Sequence, residues 1–275
     1  MEGPGVRTIA DRLAPLAGRR VTAIDGRSRF PLGTITGMPL ERIQPFGKLL
    51  LLRFPDHTLR VHFLMWGRYR LNGEIPGKVP RLTLSFDDGS VLRIYASAIA
   101  LLGNGEVDGA YDPSLDPMDP AWDPARAVGL VKGKGGEEIG DCLMDQAILP
   151  GVGNIIRNEA LFTARVHPAS PSGCIPAADL LRLLDAVRDF SFTWYRCDAE
   201  GKRINPYLRI YRKKTCQECG GRVESGRTGS LGRISFSCPA CQVRHRCSSG
   251  SRGRASRRES PPPPEREAPA SKPLP

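Results

Sequence analysis

The sequence predicts a two-lobed α+β protein: an amino-terminal antiparallel β-sandwich with a flanking helix, then a helical lobe that ends in a cluster of cysteines. Three observations predict it. Short apolar or alternating runs fill the stretch from Val21 to about Tyr95, a helical period returns after residue 125, and four cysteines crowd into residues 216–241 as two pairs. A length of 275 residues with 40% hydrophobic side chains allows a core in each lobe.

The elements follow in order. Pro4 at a first helical position, followed by Val6, Ile9, Ala10 and Leu13, predicts a helix that tethers the amino terminus. Leu49 to Phe54, Thr58 to Leu64, and Leu82 to Ile94 broken by Asp87-Asp88-Gly89 read as antiparallel strands of a sandwich or barrel, which sets a first domain over residues 1–102. Residues 103–125 are rich in Gly, Asp and Pro. Their Asp-Pro pairs at 112/113, 116/117, 119/120 and 123/124 disfavour helix at each preceding position, so this stretch reads as a hinge linker. Residues 126–205 read as helical, with apolar stripes at Ile139, Cys142, Leu143 and Ala147, from Ile155 to Ala164, and from Leu180 to Phe190. Residues 206–247 carry the cysteine cluster. The basic, proline-rich residues 248–275 hold seven prolines and no aromatic, too little apolar surface to offset ordering entropy, and are expected to be disordered.

Forty basic residues against 29 acidic ones, net +11 with a pI near 9.5, favour a polyanionic partner, with nucleic acid first. No apolar run approaches the roughly 18 residues of a spanning helix, and the start lacks a signal-peptide profile. A soluble monomer in the cytoplasm, associated with the nucleoid and not with a membrane, is the expectation.

Eight cysteines in a chain of this length are too sparse for a disulfide scaffold. Cys216-x2-Cys219, eighteen residues, then Cys238-x2-Cys241 supplies two knuckles suited to tetrahedral zinc at about 2.3 Å per sulfur. Two such pairs at this separation in a Gly-rich, hairpin-like segment outweigh a redox reading. Four sulfurs leave no open position, so one structural Zn2+ per chain is expected, holding Arg222, Arg227 and Arg233 toward a phosphate backbone. Cys142, Cys174 and Cys197 read as inert buried thiols, and Cys247 receives no role.

Leu149-Pro-Gly-Val-Gly-Asn-Ile-Ile-Arg157 breaks one helix and opens another, with Asn154 at the N-cap. Backbone N–H groups there can grip a phosphate, assisted by Asn154 or Arg157, although a plain αα-corner explains the same residues equally well.

Met144-Asp-Gln146, Pro150 to Phe162, and the run Gly232 to Gln242 together resemble the helix–two-turn–helix and zinc finger of the formamidopyrimidine-DNA glycosylase/endonuclease VIII family. Glu2-Gly-Pro-Gly5 resembles that family's amino-terminal catalytic motif, with the endonuclease VIII-like branch closest. The likeness runs in the expected order to about Cys241.

The resemblance implies a bifunctional DNA glycosylase and AP lyase. It would excise oxidised bases from damaged double- or single-stranded DNA through a Schiff base to the amino-terminal amine, then cleave the strand by elimination. The family exposes proline or valine after methionine removal, whereas here Met1 occupies the nucleophile's slot, and a bulky acidic second residue should leave it attached. An α-amine with a pKa of about 7.7–8.0 keeps a usable neutral fraction. By the same resemblance Glu2 handles proton transfers at the sugar, Lys48 and Arg233 meet phosphates and assist elimination, His62 contacts the backbone, and Met65 fills the gap left by the flipped base. The family's Arg-x-Phe pair of further gap fillers has no counterpart in Ile94 to Ile99, which points to weak opposite-base discrimination or a preference for single-stranded or open DNA. Without the resemblance, Glu2 is a favourable acid beside a helix start, Lys48 a strand-edge charge, and His62 and Met65 are packing residues. Two rivals use the same charge: a catalytically silent binder of damaged or abasic DNA, and an RNA-associated zinc-ribbon protein, which leaves Glu2-Gly-Pro and the Lys48 hairpin unexplained.

Overall fold

The computed structural model describes residues 1–247. The tail predicted to be disordered, 248–275, lies outside them. Helix α1 (Gly3–Leu13) opens with Pro4 in its first turn and buries Val6, Ile9, Ala10 and Leu13, the stripe its period predicts. Two four-stranded antiparallel sheets follow. One has the order β1 (Val21–Gly26), β6 (Leu82–Phe86), β7 (Val91–Tyr95), β5 (Arg68–Leu71); the other runs β2 (Arg42–Phe46), β3 (Leu49–Arg53), β4 (His57–His62), β8 (Ala98–Gly103). Alternating side chains of β6, such as Leu82, Leu84 and Phe86, point into one core shared with Leu50, Leu52, Leu59 and Val61 of the other sheet. Of the two architectures open to the sequence, the sandwich is the one formed.

The hinge is less irregular than its composition suggests. It contains α2 (Asn104–Ala110), which ends before the first Asp-Pro pair, and a single helical turn at Pro113–Leu115 capped by Asp112. Beyond it come α3 (Pro124–Gly133), the short α4 (Ile139–Cys142), α5 (Asn154–Thr163) and α6 (Ala177–Ala199), packed on a second core. Asp123 caps α3 by accepting from Ala125 and Arg126 N–H groups. Strands β9 (Glu224–Thr228) and β10 (Arg233–Ser237) form the hairpin between the cysteine pairs. A small third core of Phe162, Ile210 and Val223 joins it to α5.

One sequence expectation fails here. Cys174 is not an inert thiol but forms a disulfide with Cys247, their Cα atoms 4.8 Å apart. The chain leaving the cysteine cluster runs back along the helical lobe, where His245 N–H donates to Ser170 Oγ, and so returns to the 172–174 turn. Burial periodicity carries no information about such a return.

Candidate active site

Three glycines from three distant segments meet at the root of the cleft between the lobes. Gly3 N–H donates to the Gly151 carbonyl at 2.9 Å, and Gly47 packs against the same residue. A Cβ on Gly151 would lie 3.2 Å from Gly47 Cα and 3.3 Å from Gly3 Cα, and Gly47 and Gly151 have φ of 51° and 92°. Only side-chain-free backbone fits this crossing. It brings together the amino terminus, the β2–β3 hairpin and the turn before α5.

Glu2 is held by that turn. Its carboxylate accepts N–H groups of Gly153 at 3.1 Å, Ile155 at 2.9 Å and Ile156 at 3.2 Å. The helix thus receives its cap from a residue 151 positions away. Asn154, expected at the N-cap, is instead the first helical residue, and Gly153 occupies the cap position. Burial pushes the Glu2 carboxyl up in pKa, against these three N–H groups and the nearby Lys48 charge.

The Met1 amine donates to the Leu64 carbonyl at 2.7 Å. Burial lowers its pKa below the ordinary 8.0; Lys48 adds to the lowering and Glu2 opposes it. Lys48 follows Gly47 at the hairpin tip, and its own pKa is lowered by burial and by Arg233. The hairpin is braced from the hinge, where buried Asp116 accepts Gly47 N–H at 2.7 Å and Met118 N–H at 2.9 Å. His62 ends β4 half-buried. Burial, then the Met1 amine and Lys48, lower its pKa and favour the neutral ring. Met65 is 77% exposed on the next turn. Met1, Glu2, Lys48, Met65, Asn154 and Arg233 all line one cleft of about 1000 Å³.

Arg157 does not. Its side chain is fully buried, donating to the Ile234 carbonyl at 3.1 Å, Ser235 Oγ at 2.8 Å and the Gly140 carbonyl at 3.4 Å. A phosphate contact is therefore ruled out for it in this arrangement, because the guanidinium faces β10 and not the cleft. Burial lowers its pKa to about 10, with Asp141 the leading opposing charge.

The four cysteines converge as their spacing predicts, their sulfurs all within 4.8 Å of one another. Cys216 and Cys241 sulfurs stand 3.9 Å apart, and those of Cys219 and Cys238 3.5 Å apart. A tetrahedral zinc with sulfurs at about 2.3 Å needs sulfur separations of about 3.8 Å, so the donor set fits.

With that geometry in hand, family models match in two places: the "Formamidopyrimidine-DNA glycosylase N-terminal domain" over residues 1–97, and the "Formamidopyrimidine-DNA glycosylase H2TH domain" over residues 114–190. A formamidopyrimidine-DNA glycosylase of Geobacter sulfurreducens is 33% identical, covering 88% of this chain and 99% of its own. The chain belongs to the formamidopyrimidine-DNA glycosylase/endonuclease VIII family.

Human endonuclease 8-like 3 is 30% identical over 88% of this chain, which spans only 42% of that relative's length. Among solved structures, a viral DNA glycosylase superposes with a TM-score of 0.78 at 24% identity, covering 88% of this chain and 100% of its own. Lactococcus lactis Fpg, solved with abasic-site DNA, gives 0.76 at 21%, covering 88% and 99%; both likenesses bear on the fold.

In this glycosylase-family chain, the residues that sequence reading missed are those that set the others in place. Besides Asp116, buried Asp141 accepts N–H groups of Ser230 at 2.6 Å and Leu231 at 3.2 Å, fixing the turn before Arg233. Asn154 Nδ2 donates to the Ile234 carbonyl at 3.2 Å, and Asn158 Oδ1 accepts Phe236 N–H at 2.7 Å. Helix α5 thus covers the open edge of β10 with side chains at positions i, i+3 and i+4. Buried Glu159 accepts N–H groups of Arg209, Ile210 and Tyr211, shaping the loop that puts Tyr211 and Arg212 on the cleft wall. A signal existed: Asp141, Asn158 and Glu159 are polar residues inside stretches whose neighbours follow a core period, and a buried polar group needs partners.

Proposed function

We propose that the chain is a bifunctional DNA glycosylase and AP lyase that binds damaged DNA in this cleft and uses the Met1 amine as nucleophile. The observation that carries the reading is the convergence of a desolvated amine, the α5-capping Glu2 carboxyl and Lys48 within one basic groove. A lowered amine pKa leaves more of the neutral nucleophile at neutral pH. Its N–H bond to Leu64 fixes its position and leaves the lone pair free for attack.

In this reading the amine nitrogen bonds to C1′ of an extruded nucleotide as the C1′–N bond to the base breaks, and the base leaves with that electron pair and takes a proton. The C1′–O4′ bond then opens to give an imine, with Glu2 delivering a proton to O4′. Its raised pKa suits that duty. Loss of a C2′ proton expels the 3′-phosphate, completing elimination. From the cleft lining, Lys48 and Arg233 neutralise the flanking phosphates, Asn154 contacts the backbone and Met65 fills the vacated stack, while His62, at the end of β4 beside that lining, contacts the backbone as well. Cys216, Cys219, Cys238 and Cys241 would hold one structural zinc whose contribution is to rigidify the hairpin bearing Arg233.

Borohydride reduction with an abasic-site oligonucleotide tests the reading. A covalent adduct mapped to Met1 by mass spectrometry is the expected result. Tight binding with no adduct would instead leave a catalytically silent binder of damaged DNA.

A further inference from the structure

The segment that leaves the second cysteine pair is sewn to the helical lobe over six residues. Gln242 Oε1 accepts Cys238 N–H at 2.9 Å, and its Nε2 donates to the Val166 carbonyl at 2.8 Å. Val243 N–H donates to the Arg165 carbonyl at 2.8 Å, and His167 N–H donates to the Val243 carbonyl at 2.9 Å, which makes a parallel bridge between Val166 and Val243. His245 N–H then reaches Ser170 Oγ at 3.1 Å, and Cys247 ends the row on Cys174. The two stretches thus advance side by side, and the disulfide is the last stitch.

The bonded cysteines are 73 residues apart, and α6, both cysteine pairs and the β9–β10 hairpin all lie between them. The covalent ring therefore encloses the whole four-cysteine cluster. A cross-link that closes a long loop removes much freedom from the opened chain, and this cluster stands on a small apolar core that needs such help. The position also suits exchange. Cys247 is exposed and Cys174 half-buried, whereas Cys142 and Cys197, the free thiols outside the cluster, are buried. Exposed disulfides are the ones that thiols open readily.

We propose that Cys174 and Cys247 form a reversible redox clasp on the zinc finger, closed by oxidised glutathione and opened by thiols. On closing, the thiolate of one cysteine attacks the disulfide of the oxidant and releases one glutathione thiolate; the thiolate of the other cysteine then displaces the second glutathione from the mixed disulfide. Two electrons pass from the protein sulfurs to the oxidant, and the two protons given up by the cysteines leave on the two glutathione thiols. The closed clasp keeps Cys238 and Cys241 tethered from their exit side, so that a metal ion loosened from one pair is recaptured before the hairpin opens. The open clasp leaves that duty to the hydrogen bonds of Gln242, Val243 and His245. The order of the hairpin bearing Arg233 is thereby coupled to the thiol–disulfide balance around the chain, a property separate from the chemistry at Met1.

The test uses the full zinc-loaded chain, equilibrated in glutathione buffers of different oxidation state, with Cys174→Ser and Cys247→Ser beside it. Peptide mapping after alkylation reads the Cys174–Cys247 bond, and a colorimetric chelator reads metal release. The bond should form and open with the buffer, and zinc should leave the oxidised chain at least about tenfold more slowly than the reduced one, as the closing of a long loop implies. Either serine variant should release zinc at the reduced rate in every buffer. Cys247 is exposed, so its replacement removes no packing and guards against a folding defect at Cys174. A bond that never forms, a chain that takes up no zinc, or equal release rates from the oxidised and reduced chain would each overturn the proposal. A redox response that survives in Cys247→Ser would do so as well, because it would belong to the four clustered cysteines. None of these readouts involves the Met1 amine, so a failure of borohydride trapping would sink the catalytic reading and leave this result to stand on its own.

Discussion

Gly47 and Gly151 touch backbone to backbone, so closely that a Cβ on Gly47 would lie 2.5 Å from the Gly151 nitrogen. Gly47→Ala therefore has no room at a φ of 51°, and the strain falls on the hairpin carrying Lys48 and the turn holding Glu2. A loss of about 1–3 kcal/mol in stability is expected from backbone strain, with more from the collision. A displacement of about 1 Å should lower kcat/KM about 100-fold. Gly18→Ala is the control: its φ of 88° carries similar strain, yet nothing lies within 4 Å of its Cβ position. Denaturant melts and single-turnover excision should separate the two variants, and wild-type turnover by Gly47→Ala would remove this crossing from the account.

The pH profile follows from the amine. In the proposed mechanism attack needs the neutral form of the Met1 amine, whose fraction grows as pH rises through the amine pKa, and that pKa lies below 8.0 in the fold because burial and Lys48 disfavour the cation. The acid limb of kcat/KM should accordingly fall below pH 8.0. Lys48→Met removes one of the lowering charges, so it should move the limb upward while reducing the plateau. A limb that stays fixed in Lys48→Met would mean that another group sets it.

The parts of the site that sequence reading reached are those with a local signature. Cysteine spacing specified the knuckles, and the strand runs of β3, β4, β6 and β7 lay within a residue or two of their observed limits. The contacts it missed are nonlocal: Glu2 capping a helix 151 residues away, Asp141 gripping a turn 89 residues on, and Cys174 reaching Cys247. Arg157 was misassigned for a related reason. An arginine one turn into a helix has the same local sequence context whether it faces a phosphate or the edge of β10, and only the partner strand decides.

Salt dependence distinguishes the two arginines. Each phosphate contact contributes about 0.9 to the slope of log K against log salt on duplex DNA. Arg233→Ala should reduce that slope by about one, since Arg233 lines the cleft beside Lys48. Arg157→Met should leave the slope unchanged. It removes one partner each from the Ile234 carbonyl, which keeps Asn154, and from Ser235 Oγ, which keeps Thr228, so the expected cost is that of hydrogen bonds to a charged group, about 1.5–3 kcal/mol each. A slope reduced in Arg157→Met would show that its guanidinium reaches phosphate after all.

Metal removal should act on the hairpin and spare the sandwich. The core beneath the cysteines is small, with Phe162, Ile210 and Val223 as its buried members other than cysteine, too little apolar surface to hold two strands against their chain entropy. The edge of β10 is held by Asn154, Arg157 and Asn158, but its partner β9 depends on the knuckles for its closure. Chelation should release one zinc per chain, lower affinity for abasic-site DNA at least about tenfold through loss of the ordered Arg233, and leave the β-sheet circular dichroism of residues 21–103 largely intact. Cys238→Ser, whose sulfur is buried in that small core, should reproduce the effect. Full DNA affinity after quantitative metal loss would show that the bonds from α5 alone order the hairpin, and that the four-cysteine cluster is dispensable to the cleft.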